Sequence, residues 1–163
     1  MKNSYKLAKS LFPKNLISKH WDIYPSNFHE VLFNREKIAN FRRNELSFKF
    51  NDSLEKAMLS RTKRVLSRLS EITGKEFIEK NKEILIGSPQ TLTINDRPYD
   101  YHDLFIIYFL YTLFPILSEK KKNKNFFVCD IGGGYGALAH RIKKNFPNAV
   151  CLLFDLPEQN YIS

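Results

Sequence analysis

Asp130-Ile131-Gly132-Gly133-Gly134-Tyr135-Gly136 decides how the second half of this chain is read. Just before it, Phe126-Phe127-Val128-Cys129 is a short continuous apolar run, as expected of a strand buried on both faces. Just after it, Ala137 to Asn145 has helical spacing, with Leu138, Ala139 and Ile142 inward and Arg141, Lys143 and Lys144 outward. Pro147-Asn148 marks a turn, and Ala149 to Phe154 is a second apolar run, again expected to be a buried strand. The pattern predicts one β-α-β unit with parallel strands and a right-handed connection. Its glycine corner, between strand and helix, lets a ligand approach the backbone with no side chain in the way.

Glycines alone leave the ligand open, because Gly132-x-Gly134-x-x-Ala137 also satisfies the dinucleotide pattern. Two flanking acids separate the alternatives. Asp130, at the carboxyl end of the first strand, would set a carboxylate near a dinucleotide's pyrophosphate, which like-charge repulsion disfavours. Near the ammonium and sulfonium of S-adenosyl-L-methionine the same carboxylate is attractive. Asp155 closes the second strand, where an acid can accept hydrogen bonds from ribose hydroxyls; it argues against a 2′-phosphate but not against NAD. An NAD-dependent oxidoreductase therefore stays as the alternative, disfavoured by Asp130.

Working outward, Glu119 to Asn125 (EKKKNKN) is polar and reads as a linker, 119–125, between a helical N-terminal region, 1–118, and the glycine-bearing part, 126–163. Upstream of the linker, Leu104 to Leu117 is strongly apolar. At 14 residues it is shorter than the ~20 a membrane span needs, so it is expected to be a buried helix, capped by Asp100, running from Tyr101 to Phe114 and disturbed or ended by Pro115. Thr91 to Tyr99 reads as a short hairpin turning at Asn95-Asp96 after the turn signal Gly87-Ser88-Pro89. Leu54, Ala57, Met58, Val65, Leu66, Leu69 and Ile72 form the stripe of a helix that Asn51, Asp52 or Ser53 can cap and Gly74 stops. Its other face carries Arg61, Lys63, Arg64 and Arg68, a solvated surface without the aromatic interleaving of a nucleic-acid reader. Phe28, Val31, Leu32, Ile38 and Ala39 keep helical spacing after the capping-box pair Asn27 and Glu30. His20, Trp21 and Tyr24 pack or line a groove; none of His20, His29, His102 and His140 reads as a base.

The net charge of +9 comes from 26 basic and 17 acidic residues. The basic residues are scattered, so neither nucleic acid nor a membrane surface is expected as a partner. Cys129 and Cys151 both sit in apolar runs, read as small buried hydrophobes. They offer neither metal spacing nor a disulfide framework, and Met1 to Ser10 lacks the apolar core of a secretory signal; both fit a reducing cytoplasm.

DIGGGYG followed by FPN and FDLPE resembles the first two cofactor motifs of class I O-methyltransferases, and Val128 to Ser163 is similar to a bacterial family of sugar O-methyltransferases. Asn160-Tyr161-Ile162-Ser163 stands where that family begins a tyrosine-bearing helix. The resemblance implies an α/β, Rossmann-like domain that binds S-adenosyl-L-methionine and methylates a small-molecule or glycan acceptor, here a sugar hydroxyl. By position, Asp130 would hold the methionine amino group, the backbone of Gly132, Gly133, Gly134, Tyr135 and Gly136 would cradle the methionyl part, Asp155 would bind the ribose and Leu156 would line the adenine. Tyr135 either closes over the ligand or packs. Two of about seven strands are expected here, so the domain is read as incomplete, substrate-side residues are expected beyond Ser163, and no catalytic residue is assigned. A non-catalytic truncated product is the other alternative, and this chain by itself is expected to be inactive.

Overall fold

Two hydrophobic clusters organise the chain, and one helix serves both. The computed structural model describes Leu7, Ser10 and residues 31–44, 52–82, 86–121 and 125–162. The expectations for Asn27 and Glu30, for Asn51, and for His20, Trp21, Tyr24 and His29 lie outside the described residues. In chain order the elements are α1 (Arg35–Ala39), α2 (Phe41–Asn44), α3 (Asp52–Thr73), α4 (Lys75–Asn81), β1 (Leu92–Ile94), β2 (Arg97–Tyr99), α5 (Tyr101–Lys120), β3 (Phe126–Ile131), α6 (Ala137–Asn145), β4 (Ala149–Phe154) and α7 (Pro157–Ile162). The helical spacing around residues 31–39 is interrupted at Asn34, whose side chain accepts hydrogen bonds from the Glu36 and Lys37 amides and so restarts the chain as α1.

α5 is the bridging helix. Asp100 caps it through the His102 amide. Leu104 and Ile107 join Leu69, Ile78, Ile94 and Tyr99 in the first cluster. Leu110 and Leu117 join Phe126, Ile142, Phe146 and Ala149 in the second. Fully burying such a side chain contributes about 1.5–3 kcal/mol. This explains why Pro115, expected to disturb or end the helix, does not end it: the helix runs on to Lys120. Pro115 lies on the exposed side while Leu117, two residues further, is held in the second cluster. The first two residues assigned to the linker, Glu119 and Lys120, are therefore helical. Among the described residues α5 is also the helix long and apolar enough to cross a membrane by length and composition; its inward side, Leu104, Ile107 and Leu110, is packed in protein.

In α3 the inward row is Thr62, Leu66, Leu69 and Thr73, one residue per turn. Ile72, expected on that row, falls about 100° away from Thr73 and is 44% exposed; Ala57 is exposed too. Arg61, Lys63, Arg64 and Arg68 are on the solvent side. The β1–β2 hairpin pairs Leu92 with Tyr99 and Ile94 with Arg97 around Asn95 and Asp96, both at positive φ, as a tight two-residue turn requires.

β3 and β4 are parallel, in the register Phe126↔Ala149 to Ile131↔Phe154, with α6 between them in sequence. They are not buried on both faces. Phe126 and Ala149 point into the second cluster under α5 and α6, and Val128 and Cys151 pack against it. Phe127, Ile131, Val150, Leu152 and Phe154 alternate to the opposite face and are exposed, with Phe127 at 72% and Ile131 at 83%. Cys129 shares that exposed face. A continuous apolar run hides the period-two alternation that would have told covered from uncovered face.

Candidate functional site

The glycine corner is built where β3 and β4 end side by side. Gly132 extends the sheet by one bond, its amide donating to the Phe154 carbonyl at 2.7 Å. The chain then turns back so that the Gly136 amide reaches the Gly133 carbonyl at 3.0 Å, and Gly136 opens α6. Gly134 has φ 57°, a left-handed conformation that a side chain disfavours. No atom beyond the adjoining residues lies within 4 Å of where a Cβ would stand at Gly132 or Gly134, so the corner is open on that side among the described residues. At Gly133 a Cβ would come within 3.0 Å of both Asp130 Oδ2 and Leu153 Cδ2.

The two acids meet across this corner. Asp155 Oδ2 accepts from the Gly134 amide and Oδ1 from its neighbour Leu156, both at 2.7 Å. Asp155 thus holds the glycine turn in shape while each oxygen keeps a lone pair for another donor. Asp130 is different: its Oδ2 is buried and has no hydrogen-bond partner among the described residues. Burial, and after it the Asp155 carboxylate, push the Asp130 carboxyl above the ordinary aspartate range. An orphaned, desolvated carboxylate oxygen beside open glycine backbone calls for a cation or a strong N–H donor. The ammonium of an amino-acid-like ligand meets that requirement, and a pyrophosphate does not. Leu156 is half-buried, and its carbonyl accepts from the Gln159 and Asn160 amides to start α7.

Tyr135 packs toward the N-terminal part of the chain. Its ring meets Phe41 edge-on at 5.6 Å and lies 6.4 Å from His102, and the Arg42 guanidinium sits 4.7 Å above it. His140 is exposed on α6.

Two buried ion pairs behind the corner went unread in the sequence. Arg141, expected outward on α6, is 1% exposed. It pairs with Asp103 and donates to the Asn81 carbonyl at 2.9 Å and the Ala137 carbonyl at 2.9 Å. Arg42 pairs with Asp100. Neither pair leaves a local mark in the sequence, because acids such as Asp100 and Asp103 at the start of a helix are favoured there when solvated as well. Among the described residues no group of three or more His, Cys, Asp or Glu could hold a metal ion.

The site is thus a parallel β-α-β unit with a glycine corner, two strand-end carboxylates and one orphaned acid oxygen among the described residues. Consistent with this, residues 116–160, from the end of α5 through α7, match the O-methyltransferase domain family. A cephaeline 6′-O-methyltransferase from Carapichea ipecacuanha is 62% identical over 29 residues, covering 18% of this chain and 8% of that protein. The chain thus aligns with only a small part of the relative's length. No solved structure matches the chain. Both matches are to O-methyltransferases, and neither lends support to the oxidoreductase alternative.

Proposed function

We propose that this chain carries the cofactor-binding portion of an S-adenosyl-L-methionine-dependent O-methyltransferase with a Rossmann-like fold. The observation that carries the reading is the buried, unpartnered Asp130 Oδ2 beside the open glycine corner. Bound there, S-adenosyl-L-methionine would supply an electrophilic methyl group on a sulfonium for displacement by an acceptor hydroxyl. Asp130 would accept from the methionine ammonium and neutralise its charge. The backbone of Gly132 to Gly136 would lie along the methionyl part, the free lone pairs of Asp155 would take the ribose hydroxyls, and Leu156 would flank the adenine. This chain's contribution is orientation of the donor, which in a bimolecular displacement is a large part of the barrier lowering. A sugar hydroxyl as acceptor is supported by the likeness of Val128 to Ser163 to sugar O-methyltransferases.

Amide NMR of isotope-labelled residues 1–163 tests the cofactor at single-residue detail, even if binding is weak. Titration with S-adenosyl-L-methionine or S-adenosylhomocysteine should move the amides of Gly132 to Gly136, Asp155 and Leu156, and NAD should leave them in place. Larger shifts with NAD, or shifts confined to other residues, would overturn the reading.

A further inference from the structure

The segment around residue 42 lies far upstream of the matched residues 116–160, yet it touches the cofactor corner. The Arg42 side chain is only 9% exposed. Its Nη2 donates to Asp100 Oδ2, its Nη1 to the Ile86 carbonyl at 3.4 Å, and its backbone amide to the Gly87 carbonyl at 2.9 Å. Gly87 also makes room for the neighbouring Phe41, since a Cβ there would stand 2.4 Å from the Phe41 ring. Held in this way, Phe41 meets the Tyr135 ring in a T-shaped contact and the Arg42 guanidinium carbon lies over it at 4.7 Å from the centroid; Tyr135 stands between Gly134 and Gly136.

We infer that Arg42 is a positioning residue for the cofactor: stacked on Tyr135, it fixes the conformation of the glycine corner before the ligand arrives. The inference rests on the proposed function. A run of glycines has many conformations to lose on binding, and fixing them in advance strengthens binding without any new ligand contact. Tyr135 is the one side chain between Gly134 and Gly136, and so the handle by which the turn can be held. Gly134 in turn donates to Asp155, so a shift of Tyr135 moves the amide that orients the second acid. Asp100 completes the arrangement. Its Oδ1 caps α5 and its Oδ2 neutralises Arg42, so the guanidinium does not oppose a cationic ligand nearby.

The test compares residues 1–163 with the Arg42→Met, Arg42→Lys, Tyr135→Phe and Tyr135→Leu variants. S-adenosyl-L-methionine Kd would be read from the Gly134 and Asp155 amides, well below each variant's separately measured melting point. Tyr135→Phe keeps the ring and should bind more tightly than Tyr135→Leu. Tyr135→Leu and Arg42→Met should each weaken binding about five- to tenfold, and their combination by less than the product of the two, because both remove the Arg42–Tyr135 contact. Arg42→Lys, which keeps the charge opposite Asp100 but loses the guanidinium over the Tyr135 ring, should fall between. A parent that fails to bind S-adenosyl-L-methionine overturns the proposed function and this inference together. A parent that binds, beside a folded Arg42→Met that binds equally well, overturns this inference alone; should Arg42→Met fail to fold, parent-like binding by Arg42→Lys does the same.

Discussion

Asp130 and Asp155 end adjacent strands, and their carboxylates divide the work of the corner unequally. Asp155 is satisfied by two amides; Asp130 Oδ2 has no partner among the described residues. The Asp130 carboxyl, raised by burial and by Asp155, favours its protonated form in the folded chain. Its contribution to stability is therefore fully present below the unfolded pKa of about 3.9, and is lost as pH rises through the raised folded value. Above that value the folded chain carries an ionised acid it has not solvated. Asp130→Asn should consequently melt at or above the parent's temperature at neutral pH. It should also bind S-adenosyl-L-methionine about ten- to a hundredfold more weakly, the loss of about 1.5–3 kcal/mol expected for a hydrogen bond to a charged group. In the parent the same affinity should decline as pH falls through the raised pKa, and in Asp130→Asn that decline should vanish. Calorimetric melting and a pH series of Kd measure both. Asp155→Ala should weaken binding by a comparable ~1.5–3 kcal/mol, but with a lower melting point, because the Gly134 amide loses its acceptor. At this scale the sequence was informative: the glycines and both acids could be picked out from their spacing. The ion pairing of Arg42 with Asp100 and of Arg141 with Asp103 could not, because a charged residue carries no mark of burial until its partner, 58 or 38 positions away, is known.

Among the elements, α5 shows how tertiary contact overrides a local rule. Pro115 removes an amide from the middle of a 20-residue helix, yet the helix continues because Leu110 and Leu117 on either side are both buried. Replacing Pro115 by Ala would restore the donor to the Tyr111 carbonyl four residues back, on the solvent-exposed side where packing does not object. Pro115→Ala should therefore raise stability, by up to about 3 kcal/mol, as a higher denaturant midpoint at unchanged slope. A midpoint at or below the parent's would mean that the proline geometry is itself used by the packing. Ile142→Ala on α6, fully buried between α5 and the sheet, should instead lose about 2–5 kcal/mol. Helix starts at Asp100 and Gly136, the stop at Gly74 and the Asn95-Asp96 hairpin turn were legible because each is a local chemical event. Whether β3 and β4 are covered on one face or two was not, since both cases write the same apolar run.

Across the whole molecule, α5 ties the two hydrophobic clusters together, and the glycine corner lies at the end of the sheet in the second. The outer face of that sheet carries Phe127, Ile131, Val150, Leu152 and Phe154 in the open. Contiguous apolar surface of this kind drives association. Phe127→Lys combined with Leu152→Lys should reduce concentration-dependent sedimentation without lowering the melting point, since neither side chain reaches a core cluster. Within that face lies an exposed thiol, Cys129. The chain's other cysteine, Cys151, points the opposite way, half-buried with its sulfur 3.7 Å from the Ala139 carbonyl and its thiol made a weaker acid by burial. The chain therefore has a natural reporter: a maleimide dye added briefly near neutral pH should label Cys129 first, and the rate of that labelling would show, in any mixture, when the bare side of the sheet has been covered.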